Sequence, residues 1–199
     1  MSESYVPWDT LFSLLFMSMG PIHAVAVFAR LGESDDDPAV RALADRSLKL
    51  LAIAFTLAVF LGNELIGTWG IKLPALVGAA GVILIVLSLH SILRAGPANR
   101  PGTDISEMPA AQVVFPGLFP PIAIALPIIF AAATPDLVGK MIILGLGAII
   151  LALNWLALRY AKATVARIGH TPFDLIGAIF AVLQIALGIQ FVIDAWRML

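Results

Sequence analysis

The sequence predicts an all-α membrane protein with six transmembrane helices arranged as an inverted 3+3 repeat. Three observations lead there. Of the 199 residues, 60% are hydrophobic and 13% charged, whereas soluble domains carry about a quarter charged residues. That is too little charge to coat a water-facing surface of this size. The apolar residues fall into six stretches, each near the roughly 20 residues that a membrane helix needs. The two halves also resemble each other weakly at an offset near 100 residues.

The six stretches are 8–29, 47–69, 73–93, 113–133, 140–158 and 172–196. They are apolar around most of the helix, as lipid-embedded helices are, and lack the period-two alternation of strands. The first residues, Met1 to Asp9, include Glu3 and Asp9 but no Lys or Arg. The basic start of a signal peptide is missing, so the first stretch reads as an uncleaved membrane helix. The connections are polar. Residues 32–45 hold the acidic run Glu33, Asp35, Asp36, Asp37, which reads as a solvated loop. Residues 96–108, rich in Pro and Gly, read as a linker between a first repeat, 1–95, and a second, 109–199, within one transmembrane domain.

Lys and Arg set the orientation. Nine of them (Arg30, Arg41, Arg46, Lys49, Arg94, Arg100, Arg159, Lys162, Arg167) fall on one side and three (Lys72, Lys140, Arg197) on the other. The side with nine is expected to be cytoplasmic, which puts both termini outside. Trp8, Trp69 and Trp196 then fall at the outer interface and Tyr160 at the inner one.

The repeat shows at two places. Pro21-Ile22-His23-Ala24 matches Pro121-Ile122-Ala123-Ile124, and Leu76-Val77-Gly78-Ala79 matches Leu175-Ile176-Gly177-Ala178. Each half holds three spans, so the second half enters the membrane inverted, an architecture that transporters use for alternating access.

The first and fourth stretches each carry helix breakers: Met19-Gly20-Pro21 in one, Pro116-Gly117 and Pro120-Pro121 with Pro127 in the other. Proline removes a backbone donor and favours the first position of a helix. Two readings are open. Either the prolines only kink and shape packing, or Pro21 and Pro121 each open a half-helix near the midplane. In the second case two positive N-terminal ends meet at the centre and suit a carboxylate, with freed carbonyls nearby for an ammonium group or a cation. The candidate binding residues are Gly20, Pro21, His23, Pro120, Pro121 and Ala123. His23 is either a solute contact or proton relay or a neutral histidine bonded to a freed carbonyl. Asn63 and Glu64, one turn inside Trp69, are candidates for a gate or coupling site. The alternative for Glu64 is snorkelling to water. Asn154, Gln184 and Gln190 read as interhelical hydrogen-bond formers. His90 and Asp194 read as interfacial. Gly78, Gly81, Gly177 and Ala181 permit close helix packing and allow, without requiring, a homodimer.

Several classes are excluded or disfavoured. The chain has no cysteine and a net charge of −1, so thiol chemistry is absent and nucleic acid is not an expected partner. His23, His90 and His170 lack metal-ligand spacing, and no nucleotide-binding loop is present. No cofactor is expected, and no grouping of catalytic side chains suggests an enzyme. The expected partners are the lipid bilayer and a small solute, moved along a gradient or passively.

At these residues the chain resembles the MarC family of bacterial inner-membrane proteins, historically tied to multiple antibiotic resistance. Met19-Gly20-Pro21-Ile22-His23-Ala24-Val25 stands where that family has an Asn-Pro-Ile-Gly-Ala-type motif. Pro116 to Ala125 is similar to its Pro-Leu-Leu-Ala-Gly-Pro-Gly-Ala-Ile-type motif. Gly70-Ile71-Lys72-Leu73-Pro74-Ala75 and Gly81-Val82-Ile83-Leu84 are similar too. The resemblance implies six spans, a bacterial inner-membrane location, kinship with LysE-type exporters and, for some members, transport of small neutral amino acids. The chain departs at Gly20 (usually Asn), His23 (usually Gly), and Pro120 and Ile122 (usually Gly), the positions a solute would meet. A non-transporting scaffold or accessory subunit is the alternative function.

Overall fold

The computed structural model describes residues 8–28, 38–93, 111, 114, 119–169 and 171–199. Eight helices lie among them: α1 (Trp8–Met19), α2 (Pro21–Phe28), α3 (Pro38–Thr68), α4 (Leu73–Leu93), α5 (Pro121–Ala133), α6 (Leu137–Arg159), α7 (Ala161–Ile168) and α8 (Thr171–Arg197). No strand occurs among the described residues. The acidic run and the linker at 96–108 lie outside them.

Three described helices are long and apolar enough to cross a membrane: α4, α6 and α8. Two of the expected spans are interrupted instead. The first divides at Gly20 into α1 and α2. In the fourth, Phe119 and Pro120 are non-helical and α5 begins at Pro121. Two connections differ from expectation. α3 starts at Pro38 rather than Ser47, because proline suits the first helical turn and the charged residues there sit on an exposed face: Arg41, Asp45, Arg46 and Lys49 are exposed, while Val40, Leu43 and Ala44 are buried. The segment after Tyr160, expected as a loop, forms α7, whose Ala161 and Val165 pack into the core at helical spacing.

Local chemistry sets the turns. α3 closes on Gly70, whose φ of 66° is the left-handed conformation that a helix C-terminus demands, with the Ile71 amide donating to the Ile66 carbonyl at 2.9 Å. Asp136 caps α6 by accepting from the Gly139 amide at 3.0 Å.

Packing pairs the helices with little space between them. α5 lies against α3, α4 and α1, and α6 against α3 and α2. The Phe55 ring of α3 sits on Gly147 of α6, and Ile128 of α5 on Gly62 of α3. α4 and α8 form the most extensive pair. Gly78 faces Ala195 and Gly81 faces Gly188, while Ser88 meets Gln184. Numbers rise along one helix as they fall along the other, so the two run antiparallel. Backbone meets backbone at Gly81, where a Cβ would lie 2.5 Å from the Gly188 carbonyl oxygen. Gly177, expected to be a packing position, faces open space.

The outer surface is apolar. Ile53, Leu57, Leu61 and Leu65 form one exposed stripe on α3, and Leu175, Ile179, Val182 and Ile189 are exposed on α8. Water-soluble proteins do not show unbroken apolar faces of this extent; lipid accommodates them.

Candidate functional site

A helix that stops inside a membrane leaves carbonyls that lipid cannot satisfy. α1 stops at Met19, and its last carbonyls are met by amide side chains from two other helices. Asn154 of α6 donates through Nδ2 to the Met19 carbonyl at 2.7 Å. Gln184 of α8 donates through Nε2 to the Met17 carbonyl at 3.1 Å. Gln184 is held in turn by Ser88 of α4, whose hydroxyl donates to Oε1 at 2.9 Å. Four helices therefore converge on one interruption. Gly20 makes it sterically possible, because a Cβ there would fall on the Phe16 carbonyl oxygen.

Asn154 is fully buried, yet its Oδ1 has no partner among the described residues. A buried acceptor left empty costs about 1–3 kcal/mol. It is the open hydrogen-bonding position beside the break.

α5 opens at Pro121 without a side-chain cap, and Pro120 is extended. The Ala123 amide turns back to the Pro120 carbonyl at 2.8 Å and the Phe119 amide to the Val114 carbonyl at 2.7 Å. At 1.5 Å per residue, Met19 lies roughly 17 Å from the start of α1, Gln184 roughly 18 Å from Trp196, Ser88 roughly 22 Å from the start of α4 and Asn154 roughly 26 Å from the start of α6. In a hydrocarbon layer about 30 Å thick, Met19 and Gln184 are near the middle, while Ser88 and Asn154, each roughly 8 Å from the other end of its helix, lie toward one side.

The immediate surroundings are closed and apolar. Leu15, Met19, Ala24, Phe119, Ile122, Ala123 and Leu126 are buried in one continuous cluster. Two cavities lie elsewhere: one between the ends of α4 and α8, the other a shallow dent on α8 at Ala178, Ile179, Val182 and Leu183.

Of the residues singled out in the sequence, Gly20 and Ala123 are buried and Pro120 half-buried. Gly20 and Pro21 bound the first break, Pro120 and Pro121 the second. The side chains of His23, Pro121 and Asn63 lie outside what the structure describes. Glu64 is exposed one turn from the end of α3, apart from the breaks. Gln190 is not interhelical: its amide donates to Asp194 Oδ1 of the same helix at 2.9 Å, because i and i+4 lie on one face. No cluster of three His, Asp or Glu suited to a metal occurs among the described residues. The site is built of amides, carbonyls and one hydroxyl. It can accept from a donor at Asn154 Oδ1 and present helix N-termini to an anion.

Apolar helices long enough to cross the membrane, lipid-facing stripes and a polar network confined to the interior define an integral multi-pass membrane protein. Its family follows from sequence comparison: a family model described as MarC family integral membrane protein matches residues 7–199, and the chain belongs to that family. A UPF0056 membrane protein of Methanocaldococcus jannaschii is 24% identical over 197 residues, covering 94% of each chain. Another, from Archaeoglobus fulgidus, is 20% identical over 191 residues, covering 92% of this chain and 89% of the relative. No solved structure matches the chain.

Proposed function

We propose that this chain is a secondary transporter or exporter of a small solute. The observation that carries this reading is the interruption at Gly20, whose freed carbonyls are held by Asn154 and Gln184, in a chain with a second proline-started helix, α5. Interrupted helices in lipid are tolerated where the irregular backbone serves a cavity or protein partners, and transporters build solute sites from them. The antiparallel run of α4 and α8 supports an inverted 3+3 repeat of six spans, since these are the third helices of the two halves. The excess of Lys and Arg on one side supports an orientation with both termini outside, and the resemblance to the MarC family supports an inner membrane location.

The solute class follows from the site. The N-terminal ends of α2 and α5 favour a carboxylate, and Asn154 Oδ1 accepts from an ammonium group. Together they suit a small neutral amino acid or a similar zwitterion. The apolar seal around the break then corresponds to a closed state, and opening exposes the site to one side at a time.

The test is flux in proteoliposomes across a panel of small amino acids and related metabolites, with and without a proton gradient. Counterflow above empty liposomes, reduced in Asn154→Leu and in Gly20→Ala, is expected. No flux for any solute in the panel defeats the transport reading.

One observation favours a second reading, a non-transporting scaffold or accessory subunit: the break is packed by Met19, Phe119 and Ile122 rather than open to water. A scaffold keeps that seal permanently. Cysteines placed at Ala24 and Ala123 then stay unreactive to a small polar thiol reagent under all gradients, whereas a transporter labels them when it opens.

A further inference from the structure

We infer that the groove between the start of α4 and the end of α8 binds one anionic phospholipid. The two helices touch backbone to backbone at Gly81 and Gly188, and Gly78 still faces Ala195, where a Cβ would come within 3.3 Å. Beside this end of the pair, next to the turn at Gly70, lies a cavity of about 850 Å³, within the range of small-ligand sites. Its lining is mostly apolar, with Gly78, Val82, Val192 and Ile193, and includes the cations Lys72 and Arg197. Trp69 and Trp196, 69% and 79% exposed, stand beside it as residues of the membrane interface do. An apolar lining that includes two cations near the membrane interface matches an acyl chain below a phosphate.

The charge pattern selects lipid over a second copy of the chain. A two-fold dimer sets the same patch against itself, which brings Lys72 and Arg197 of both copies together. Asp194 offsets this little: its contact with Arg197 is 3.9 Å long and exposed, and such pairs are weak. Among the described residues no carboxylate pairs with Lys72. Basic pockets between membrane helices bind anionic headgroups. This inference is independent of any transport activity.

The test is native mass spectrometry of the full chain released from nanodiscs of mixed phosphatidylglycerol and phosphatidylcholine. The wild type is expected to retain one phosphatidylglycerol. The double variant Lys72→Gln, Arg197→Gln, which alters only exposed side chains, should lower that preference roughly 30-fold, as two lost headgroup contacts imply. Equal retention of phosphatidylcholine by the wild type overturns the proposal. So does an unaltered preference in the double variant, or a lipid-free dimer.

Discussion

Asn154 Nδ2 donates to the Met19 carbonyl at 2.7 Å, across 135 residues of sequence, at the one place where the first membrane segment stops being a helix. Only a donor satisfies that carbonyl. Asn154→Leu strands the Met19 carbonyl, a penalty of about 1–3 kcal/mol, partly offset because the unpaired Oδ1 is removed as well. Asn154→Asp should be worse at neutral pH, since a carboxylate has no proton to give and sets two acceptors face to face. Its stability should recover as the pH falls and the carboxyl regains a proton. Thermal unfolding in detergent micelles across a pH series checks this. A wild-type melting point for Asn154→Asp at neutral pH would show that the bond contributes nothing.

Gly20 should tolerate no side chain. Its missing Cβ makes room for the Phe16 carbonyl, so Gly20→Ala must either rebuild the turn or straighten the segment. Because Pro21 still blocks a continuous helix, straightening is not open to it, and the expected result is a loss of about 2–3 kcal/mol. Combining Gly20→Ala with Pro21→Ala should restore folding as a continuous helix. It should also abolish any flux. Unfolding midpoints of the single and double variants decide the matter.

The α4–α8 contact should respond sharply to bulk at Gly81 and Gly188, and glycines that face open space should not. A Cβ on Gly81 comes within 2.5 Å of the Gly188 carbonyl oxygen, and one on Gly188 within 2.7 Å of the Gly81 oxygen. Either alanine should push the helices apart at a cost of about 1–3 kcal/mol. Gly145→Ala and Gly177→Ala face open space and should be neutral or stabilising by up to about 1 kcal/mol. Four melting curves measured side by side test the contrast.

The apolar spans were legible because lipid demands long runs of hydrophobic residues, and runs can be counted. The ends of α4 and α8 lie within a residue of the expected ones for that reason. The breaks were legible as Gly-Pro and Pro-Pro, since backbone geometry is local. α3 reaches back to Pro38 through charged residues because one face of that turn is apolar and packs, a periodicity that the loop-like acidic stretch before it hid. The partners of the break were not legible. Asn154 and Gln184 stand out as polar residues in lipid, but nothing local says which carbonyl each meets. Gln190 shows the converse: the same residue type on the same helix spends its amide on Asp194, four residues on.

Ser88, Gln184 and Met17 should behave as one unit. The Ser88 hydroxyl donates to Gln184 Oε1 at 2.9 Å, which orients the carboxamide so that Nε2 meets the Met17 carbonyl at 3.1 Å. Ser88→Ala leaves the amide able to rotate, and Gln184→Leu strands both neighbours. If the orientation matters, the double variant Ser88→Ala, Gln184→Leu costs less than the two single changes added together, with a coupling of about 0.5–2 kcal/mol. Gln184 meets the backbone carbonyl of Met17, which Met17→Leu keeps, so that change should leave the coupling unchanged. A double-mutant cycle on unfolding midpoints, repeated in the Met17→Leu background, measures both terms. A coupling near zero would mean that the serine and the glutamine act separately, and that the carbonyl of Met17 relies on Gln184 alone.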